Sequence, residues 1–187
     1  MKLRRIISGC LTIIFLMAVI LALLIVVINI FFDKNNTGKD YREAYLEETV
    51  PLAQKTAKKY GLFPSVMIAQ SILESNWGRS ELSREYNNYF GVKEVSKKGR
   101  VTFETEEYVD GESGRYLENF KKYSSKKESF VHYAKLLSEA KRYEKVKTAR
   151  DFREAARYIN EAGYATDPNY ADKIISIVEK YNLGQYD

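Results

Sequence analysis

The sequence predicts a mainly helical (α+β) domain with one β-hairpin, preceded by a single N-terminal transmembrane helix. Residues 6–32 form a run without charge that is rich in Ile, Leu, Val and Phe. After residue 40, apolar residues recur at spacings of three and four, which is the period of a helix. Between residues 101 and 120, β-branched and aromatic residues flank the turn residues Asp110-Gly111 and Gly114, which indicates two paired strands.

The uncharged run 6–32 is long enough to act as a membrane anchor, because about 20 apolar residues cross a bilayer as a helix. It is preceded by the basic residues Lys2, Arg4 and Arg5. Basic flanks stay on the cytoplasmic side. We therefore expect residues 1–5 to be a cytoplasmic tip and the chain after residue 33 to be extracellular, which makes a single-pass protein of the cell membrane.

Two alternatives to an uncleaved anchor fit the sequence less well. A cleaved signal peptide has a shorter apolar region that ends in a small-residue site, whereas this run ends in Val-Ile-Asn-Ile-Phe-Phe. A lipidated cysteine in Ile7-Ser-Gly-Cys10 should follow the apolar region, but here it lies near the start of that region.

Beyond the anchor, residues 33–40 are predicted to be a polar linker and residues 41–187 one exported domain. Apolar spacing and capping residues predict its helices. These are Tyr41–Tyr60, a helix from Pro64 to Trp77-Gly78, a turn at Glu81–Tyr86, a helix opened by a capping box at Ser125–Glu128, one capped by Asp151, and a last one opened by Thr166-Asp167-Pro168. The hairpin is predicted to pair Val101–Tyr108 with Arg115–Phe120 through a longish loop.

The composition excludes several kinds of catalytic site. Cys10 is the only cysteine and lies in the predicted anchor, and His132 is the only histidine. His132 falls beside an apolar helical stripe rather than within it, so we expect a boundary or surface residue without a catalytic role. Cys/His and Ser/His/Asp catalysis are thus excluded, and no metal or cofactor is expected. Any catalysis is left to carboxylates, tyrosines and backbone.

The net charge and the aromatic content indicate which classes of partner the domain can bind. The formal charge is +5, and removing the three basic residues before the anchor leaves about +2, which is too balanced for nucleic-acid binding. The 15 tyrosines, 9 phenylalanines and one tryptophan suit stacking on sugar faces, although packing in the core explains these counts equally well.

Glu74, in the stretch AQSILESNWG, is the first candidate for chemistry. It lies at the predicted C-terminus of a helix, where the helix dipole disfavours an anion, and apolar residues adjoin it. Both effects are expected to raise its pKa, as a general acid for glycosidic cleavage requires. Gln70, one turn earlier on the same face, and Trp77 are candidate substrate-binding residues. The alternative is a solvated Glu74 that points past Leu73.

Glu107 is the second candidate carboxylate. Strict strand alternation places Val101, Phe103, Thr105 and Glu107 on one face of the hairpin. Glu107 is then the acidic residue of the more apolar face, while Glu104 and Glu106 are solvated. A β-bulge would invert this assignment, so Glu106 stays a candidate.

Several blocks of the sequence together resemble a known family. They are PSVMIAQSILESNWGRS at 64–80, NNYFGVK at 87–93, TEEY at 105–108, FKKYSS at 120–125 with Glu128-Ser129, and GYATDPNYADKI at 163–174. In this order they are similar to the glucosaminidase domain of bacterial cell-wall hydrolases, glycoside hydrolase family 73 (mannosyl-glycoprotein endo-β-N-acetylglucosaminidase-like). The resemblance covers nearly all of residues 45–182.

The resemblance implies a lysozyme-like fold with a substrate groove and cleavage of peptidoglycan glycan strands. The bond implied is the β-1,4 bond that follows N-acetylglucosamine, toward N-acetylmuramic acid. The family's catalytic acid maps onto Glu74 and its second carboxylate onto Glu107. The groove residues of the motif map onto Asn88, Tyr89, Phe90 and Tyr164.

Two features set this sequence apart from many members of the resembled family. It lacks appended wall-binding repeats, so the predicted anchor is its targeting device, and we expect that a membrane-protein partner can be needed for activity. The segment between Gly91 and Val101 is rich in lysine, which suits either contact with anionic wall polymers or, as we favour, a solvated loop.

The sequence leaves the second chemical step open. Glu74 is expected to protonate the leaving oxygen. Glu107 then activates water with inversion or acts as the nucleophile, or the N-acetyl oxygen of the substrate attacks, with Tyr164 and a carboxylate steadying the intermediate. Two other functions compete with this interpretation. One is a muramidase or lytic transglycosylase on the neighbouring bond, and the other is a membrane-tethered glycan-binding scaffold without catalysis.

Overall fold

The computed structural model describes Leu24 and residues 40–96, 98–109 and 112–187, with the backbone alone at 106–109 and 112–113. Apart from Leu24, the predicted anchor 6–32 lies outside these residues, as do the tip 1–5 and linker residues 33–39. Within the described part of the chain, no helix is both long enough and apolar enough to cross a membrane. The chain divides into the compact units Met1–Tyr41 and Arg42–Asp187.

From residue 41 onward, the described part of the chain is mainly helical with one antiparallel sheet of two strands, as predicted. Its α-helices are α1 (Tyr41–Tyr60), α2 (Pro64–Ser75), α3 (Glu81–Tyr86), α4 (Lys126–Glu139), α5 (Phe152–Glu161) and α6 (Tyr170–Lys180). Its 3-10 helices are Lys141–Thr148 and Leu183–Tyr186, and its strands are β1 (Arg100–Val109) and β2 (Glu112–Lys121). The 3-10 helix at Lys141–Thr148 was not predicted.

Helix α2 lies at the centre of the core. Most of its side chains are buried, and it contacts α5, α6 and the final 3-10 helix. Its first turn has no side-chain cap from Phe63. Instead, the Asp187 carboxylate accepts hydrogen bonds from the Ser65 backbone N–H at 2.8 Å and from the Ser65 hydroxyl at 2.7 Å. A carboxylate at this end satisfies an otherwise unpaired N–H and complements the helix dipole.

The predicted caps of the later helices are confirmed, and two boundaries are wrong. Helix α2 ends at Ser75 rather than at Trp77-Gly78. Ser125 accepts from the Glu128 N–H at 3.2 Å, and Asp151 accepts from the Glu154 N–H at 2.8 Å. The last helix begins at Tyr170 rather than at 166–168. The reason is a turn before it, in which the Asp167 carboxylate accepts from the Asn169 N–H at 2.9 Å.

The hairpin continues further than predicted. Its pairing runs without a break from Arg100 opposite Lys121 to Val109 opposite Glu112, so the expectation of a longish loop was wrong. An Asp-Gly dipeptide favours such a two-residue connection. The strand alternation is confirmed over 101–105, where the odd-numbered residues are half-buried and the even-numbered ones are exposed.

Candidate active site

A cleft of about 660 Å³ lies between the C-terminal end of α2, the start of the hairpin and the C-terminal helices. Its lining comprises Leu73, Glu74, Gly91, Val92, Lys93, Thr105, Phe120, His132, Leu136, Arg142, Tyr143, Gly163, Tyr164, Ala165, Thr166, Asp167, Tyr170 and Lys173. Of the predicted site residues, Glu74 and Tyr164 line this cleft.

Glu74 occupies the last turn of α2, as predicted. The helix ends directly after it because Asn76 adopts the left-handed conformation with φ of 49°. The following Trp77 N–H then donates to the Ile72 carbonyl at 3.1 Å, which closes the turn. This helix end holds the half-buried Glu74 side chain at the cleft.

A directed chain of hydrogen bonds ends on Glu74. The Tyr133 hydroxyl donates to the Gln70 side-chain carbonyl, and the Gln70 amide donates to the Tyr170 hydroxyl at 2.9 Å. The Tyr170 hydroxyl in turn donates to Glu74 Oε1 at 2.6 Å. Gln70 is fully buried and does not line the cleft, so the structure gives it contact with Tyr170 rather than with the open groove.

The phenols around Glu74 keep their protons over a wide pH range. Burial raises the pKa values of Tyr133, Tyr164 and Tyr170 well above the ordinary value for tyrosine, and the negative charge of Glu74 raises them further. Tyr170 is therefore a hydrogen-bond donor toward Glu74 at any pH at which a hydrolase works.

The second oxygen of Glu74 lies against Gly91. This glycine has φ of +62°, and a Cβ built on it would come within 3.2 Å of Glu74 Oε2. A side chain here would meet both the carboxylate and the cost of a left-handed conformation. The two oxygens of Glu74 thus have different neighbours, a phenol at Oε1 and a glycine backbone at Oε2.

Asn88 organises the loop that carries Gly91. Its amide nitrogen donates to the carbonyls of Val92 and Lys121, each at 2.9 Å. Its amide oxygen accepts from the N–H groups of Phe90 at 3.3 Å and Val92 at 3.1 Å. Asn88 is buried and uses its hydrogen-bonding capacity within the protein, which ties this loop to strand β2.

Phe90 belongs to the core behind the cleft. Its ring is fully buried and stacks on Tyr133 with centroids 3.9 Å apart. Its carbonyl accepts from the Tyr164 hydroxyl at 2.8 Å, which fixes the ring of Tyr164 in the cleft wall. The Tyr164 ring also stacks on the buried ring of Tyr170, with centroids 5.8 Å apart, so the two rings pack together beside Glu74.

Trp77 and Tyr89 both pack against Tyr45, and neither of them lines the cleft. The ring of Tyr45 lies 5.9 Å from Trp77 and 6.4 Å from Tyr89. The Lys126 ammonium lies over Tyr45 at 4.3 Å and over Tyr89 at 5.0 Å. These aromatic residues thus pack α1 and α4 against the turn that follows α2.

The hairpin contributes Thr105 to the cleft lining. Glu107 lies two residues further along β1, with its backbone opposite Gly114. The side chains of Glu106 and Glu107 lie outside the described residues. The unbroken register over 100–109 contains no bulge, so the condition that would have inverted the alternation is not met.

Sequence reasoning missed several residues of the cleft. Tyr170 lies in the block GYATDPNYADKI, and its spacing from Tyr164 in that block is the sequence signal that could have identified it. His132 is half-buried, as expected of a boundary residue, and it also lines the cleft, where its Nδ1 lies 2.6 Å from the Tyr123 hydroxyl. Burial lowers the pKa of His132, which favours its neutral form.

Most of the chain matches a known protein family. The family described as mannosyl-glycoprotein endo-β-N-acetylglucosaminidase, the glucosaminidase family, matches residues 50–183. The chain belongs to this family of glycoside hydrolases. Its mainly helical architecture with one small sheet is the lysozyme-like fold expected of the family.

Three similar proteins illustrate this relationship. The exo-glucosaminidase LytG of Bacillus subtilis is 42% identical over 160 residues, covering 83% of this chain and 57% of LytG. A probable N-acetylmuramidase of Lactococcus lactis is 38% identical over 152 residues, covering 78% of this chain and 35% of that protein. The catalytic domain of the autolysin Auto from Listeria monocytogenes has a TM-score of 0.68 and 38% identity, covering 81% of this chain and 90% of that structure. The chain thus spans between one third and three fifths of these two curated relatives.

Proposed function

We propose that this protein hydrolyses peptidoglycan glycan strands, cutting the β-1,4 bond between N-acetylglucosamine and N-acetylmuramic acid with Glu74 as the general acid. The observation that carries the proposal is the hydrogen bond of 2.6 Å from Tyr170 to Glu74 Oε1 at the wall of a cleft. It holds a carboxyl group in place for proton transfer. The family match over residues 50–183 supports the glycosidic substrate.

In this mechanism Glu74 protonates the leaving glycosidic oxygen while the Tyr170 hydroxyl holds its Oε1 in place. The Glu74 carboxylate that results is stabilised by the same Tyr170 donor. Tyr164, which is half-buried in the cleft wall, offers a stacking surface for a sugar ring. The oxocarbenium-like transition state then needs a second carboxylate or the N-acetyl group of the substrate.

Glu107 is our candidate for the second carboxylate. It follows Thr105, a residue of the cleft lining, on the strand whose alternation is regular over the described side chains. Glu107→Gln should lower kcat by roughly 10²–10⁴-fold, with Glu106→Gln as its matched neighbour control. A loss confined to Glu106→Gln would transfer the role to that residue. Equal, near-normal activity in both variants would favour attack by the N-acetyl group.

Analysis of the reaction products tests which glycosidic bond is cut. The full chain, purified in detergent, is incubated with peptidoglycan, and the borohydride-reduced products are analysed by mass spectrometry. We expect reduced N-acetylglucosamine ends. Reduced muramic-acid ends would instead identify a muramidase, a candidate that the name of the Lactococcus relative favours, and anhydro-muramic ends would identify a lytic transglycosylase. Internal cuts early in the digest would support endo cleavage, whereas release from one end would support the exo mode for which LytG is named.

Glu74→Gln tests the catalytic assignment. It should lower wall lysis by roughly 10²–10⁴-fold without loss of strand binding. Glu85→Gln, an exposed glutamate in α3, is the matched control and should leave lysis unchanged. Unchanged lysis in Glu74→Gln would remove this residue from the mechanism. A wild-type chain that binds strands without cutting them would support the scaffold function instead.

Residues 6–32 are proposed as the membrane anchor, with the N-terminus cytoplasmic and the catalytic domain extracellular. The support is the length of the uncharged run and the basic residues before it. Fractionation of cells should find the chain in the membrane, and protease added outside should remove residues 41–187. Recovery of the chain in the soluble fraction would contradict the anchor.

A further inference from the structure

Arg142 is a cation of the cleft that has no carboxylate partner among the described residues. It lies in the 3-10 helix Lys141–Thr148, is exposed to solvent and lines the same cleft as Glu74. The other two basic residues of the lining are paired. Lys93 lies 3.1 Å from Glu118, and Lys173 lies 2.5 Å from Asp167.

The Arg142 guanidinium is held near one position. Its Cζ atom lies 4.6 Å from the centroid of the Tyr143 ring. A guanidinium over an aromatic face is favoured by the ring quadrupole, and this leaves its N–H groups available for an anion. Tyr143 is itself fully buried, so its ring is a fixed support.

A row of aromatic contacts joins Arg142 to the proposed catalytic group. The ring of Tyr143 lies 6.2 Å from Tyr164, and Tyr164 lies 5.8 Å from Tyr170, which donates to Glu74. Tyr143 and Tyr170 are buried within this row, whereas Tyr164 is half-buried. A polymer lying along the cleft would contact the uncharged ring of Tyr164 near Glu74 and the guanidinium of Arg142 further along. The arrangement therefore suits a substrate that is neutral at the bond cut and anionic at a substituent.

We propose that Arg142 binds a carboxylate carried by the muramic-acid side of the glycan strand and makes the enzyme selective for it. This inference rests on the proposed function, because it identifies an anionic substituent of that substrate. N-acetylglucosamine carries no charge, whereas the muramic-acid unit carries carboxylates on its stem peptide or, once the peptide is removed, on its lactyl group. A planar carboxylate matches the fork of N–H donors of an arginine.

The test measures binding, so that it does not depend on cleavage. Glu74→Gln and Glu74→Gln/Arg142→Gln, both as full chains in detergent, are titrated with soluble glycan strands of two kinds. One kind keeps its stem peptides, and the other has been stripped by an amidase, which frees the lactyl carboxylate. We expect the second variant to bind one kind of strand roughly tenfold to hundredfold more weakly and the other kind unchanged.

The affected strand identifies the carboxylate. A loss on peptide-bearing strands assigns it to the stem peptide, and a loss on stripped strands assigns it to the lactyl group. Arg142→Lys should give an intermediate loss because it keeps the charge but not the paired donors. Lys141→Gln, an exposed neighbour outside the lining, should have no effect. Equal weakening on both strands, or none, would overturn the inference. Failure of cleavage by the wild-type chain would overturn the proposed function alone.

Discussion

Replacing Tyr170 with phenylalanine removes one hydroxyl and two hydrogen bonds. The hydroxyl donates to Glu74 Oε1 at 2.6 Å and accepts from the Gln70 amide at 2.9 Å. In the proposed mechanism the Glu74 carboxylate gains negative charge as it gives up its proton, so its bond to Tyr170 strengthens in the transition state. The loss should therefore appear in kcat more than in KM.

The magnitude follows from the type of bond. A hydrogen bond to a charged group contributes about 1.5–3 kcal/mol, and each 1.36 kcal/mol corresponds to a factor of ten in rate. We expect kcat of Tyr170→Phe to fall by roughly 10- to 150-fold. Without the phenol the ionised Glu74 is less stabilised, so the alkaline limb of the pH–rate profile should move to higher pH.

Stability gives a second readout of the same change. The Gln70 amide is fully buried and would lose its Tyr170 acceptor, which costs about 1–3 kcal/mol. For a domain of this size each kcal/mol lowers Tm by about 2–4 °C. Tyr158→Phe is a matched control, because the Tyr158 hydroxyl donates to the Glu154 carboxylate at 3.0 Å away from the cleft. A Tyr170→Phe enzyme with wild-type kcat and an unshifted pH profile would refute a role for this hydrogen-bond chain.

Three further predictions concern other parts of the domain. Gly91→Ala should lower activity at least about tenfold and destabilise the domain by about 1–2 kcal/mol. The reasons are that the added Cβ would lie 3.2 Å from Glu74 Oε2 and that residue 91 has φ of +62°. A fully active variant would contradict this. Asp187→Ala should lower Tm by a few degrees, through a loss of about 1 kcal/mol at the start of α2, with kcat unchanged; an unchanged Tm in calorimetry would show that the carboxylate does not cap the helix. Hydrogen bonds from Arg150 lower the pKa of Glu154 to about 2, below the ordinary 4.5. The contribution of the ionised Glu154 to stability is therefore complete above pH 4.5 and is lost as pH falls toward 2. The free energy of unfolding, measured by urea titration, should fall less steeply with decreasing pH in Glu154→Gln than in the wild type.

Much of the local structure could be predicted from the sequence. The caps Ser125 and Asp151 and the alternation of β1 over 101–105 each depend on residues a few positions apart. The 3-10 helix Lys141–Thr148 escaped prediction because its sequence is largely polar, with Tyr143 and Val146 as its buried residues. Nothing in the sequence marks Arg142, because only the packing of that helix brings this residue to the cleft.

The roles of the candidate site residues depended on long-range packing. The sequence by itself determined that a glutamate lies near a helix end beside a tryptophan, and the aromatic count fitted sugar binding and core packing equally well. Only the tertiary structure showed that Trp77 faces Tyr45 and Tyr181 rather than the cleft. The Glu74–Tyr170 bond joins residues 96 positions apart, across the packed surfaces of α2 and α6. Helical period and capping act within a few residues, whereas the partner of a buried carboxylate is fixed by how whole helices pack.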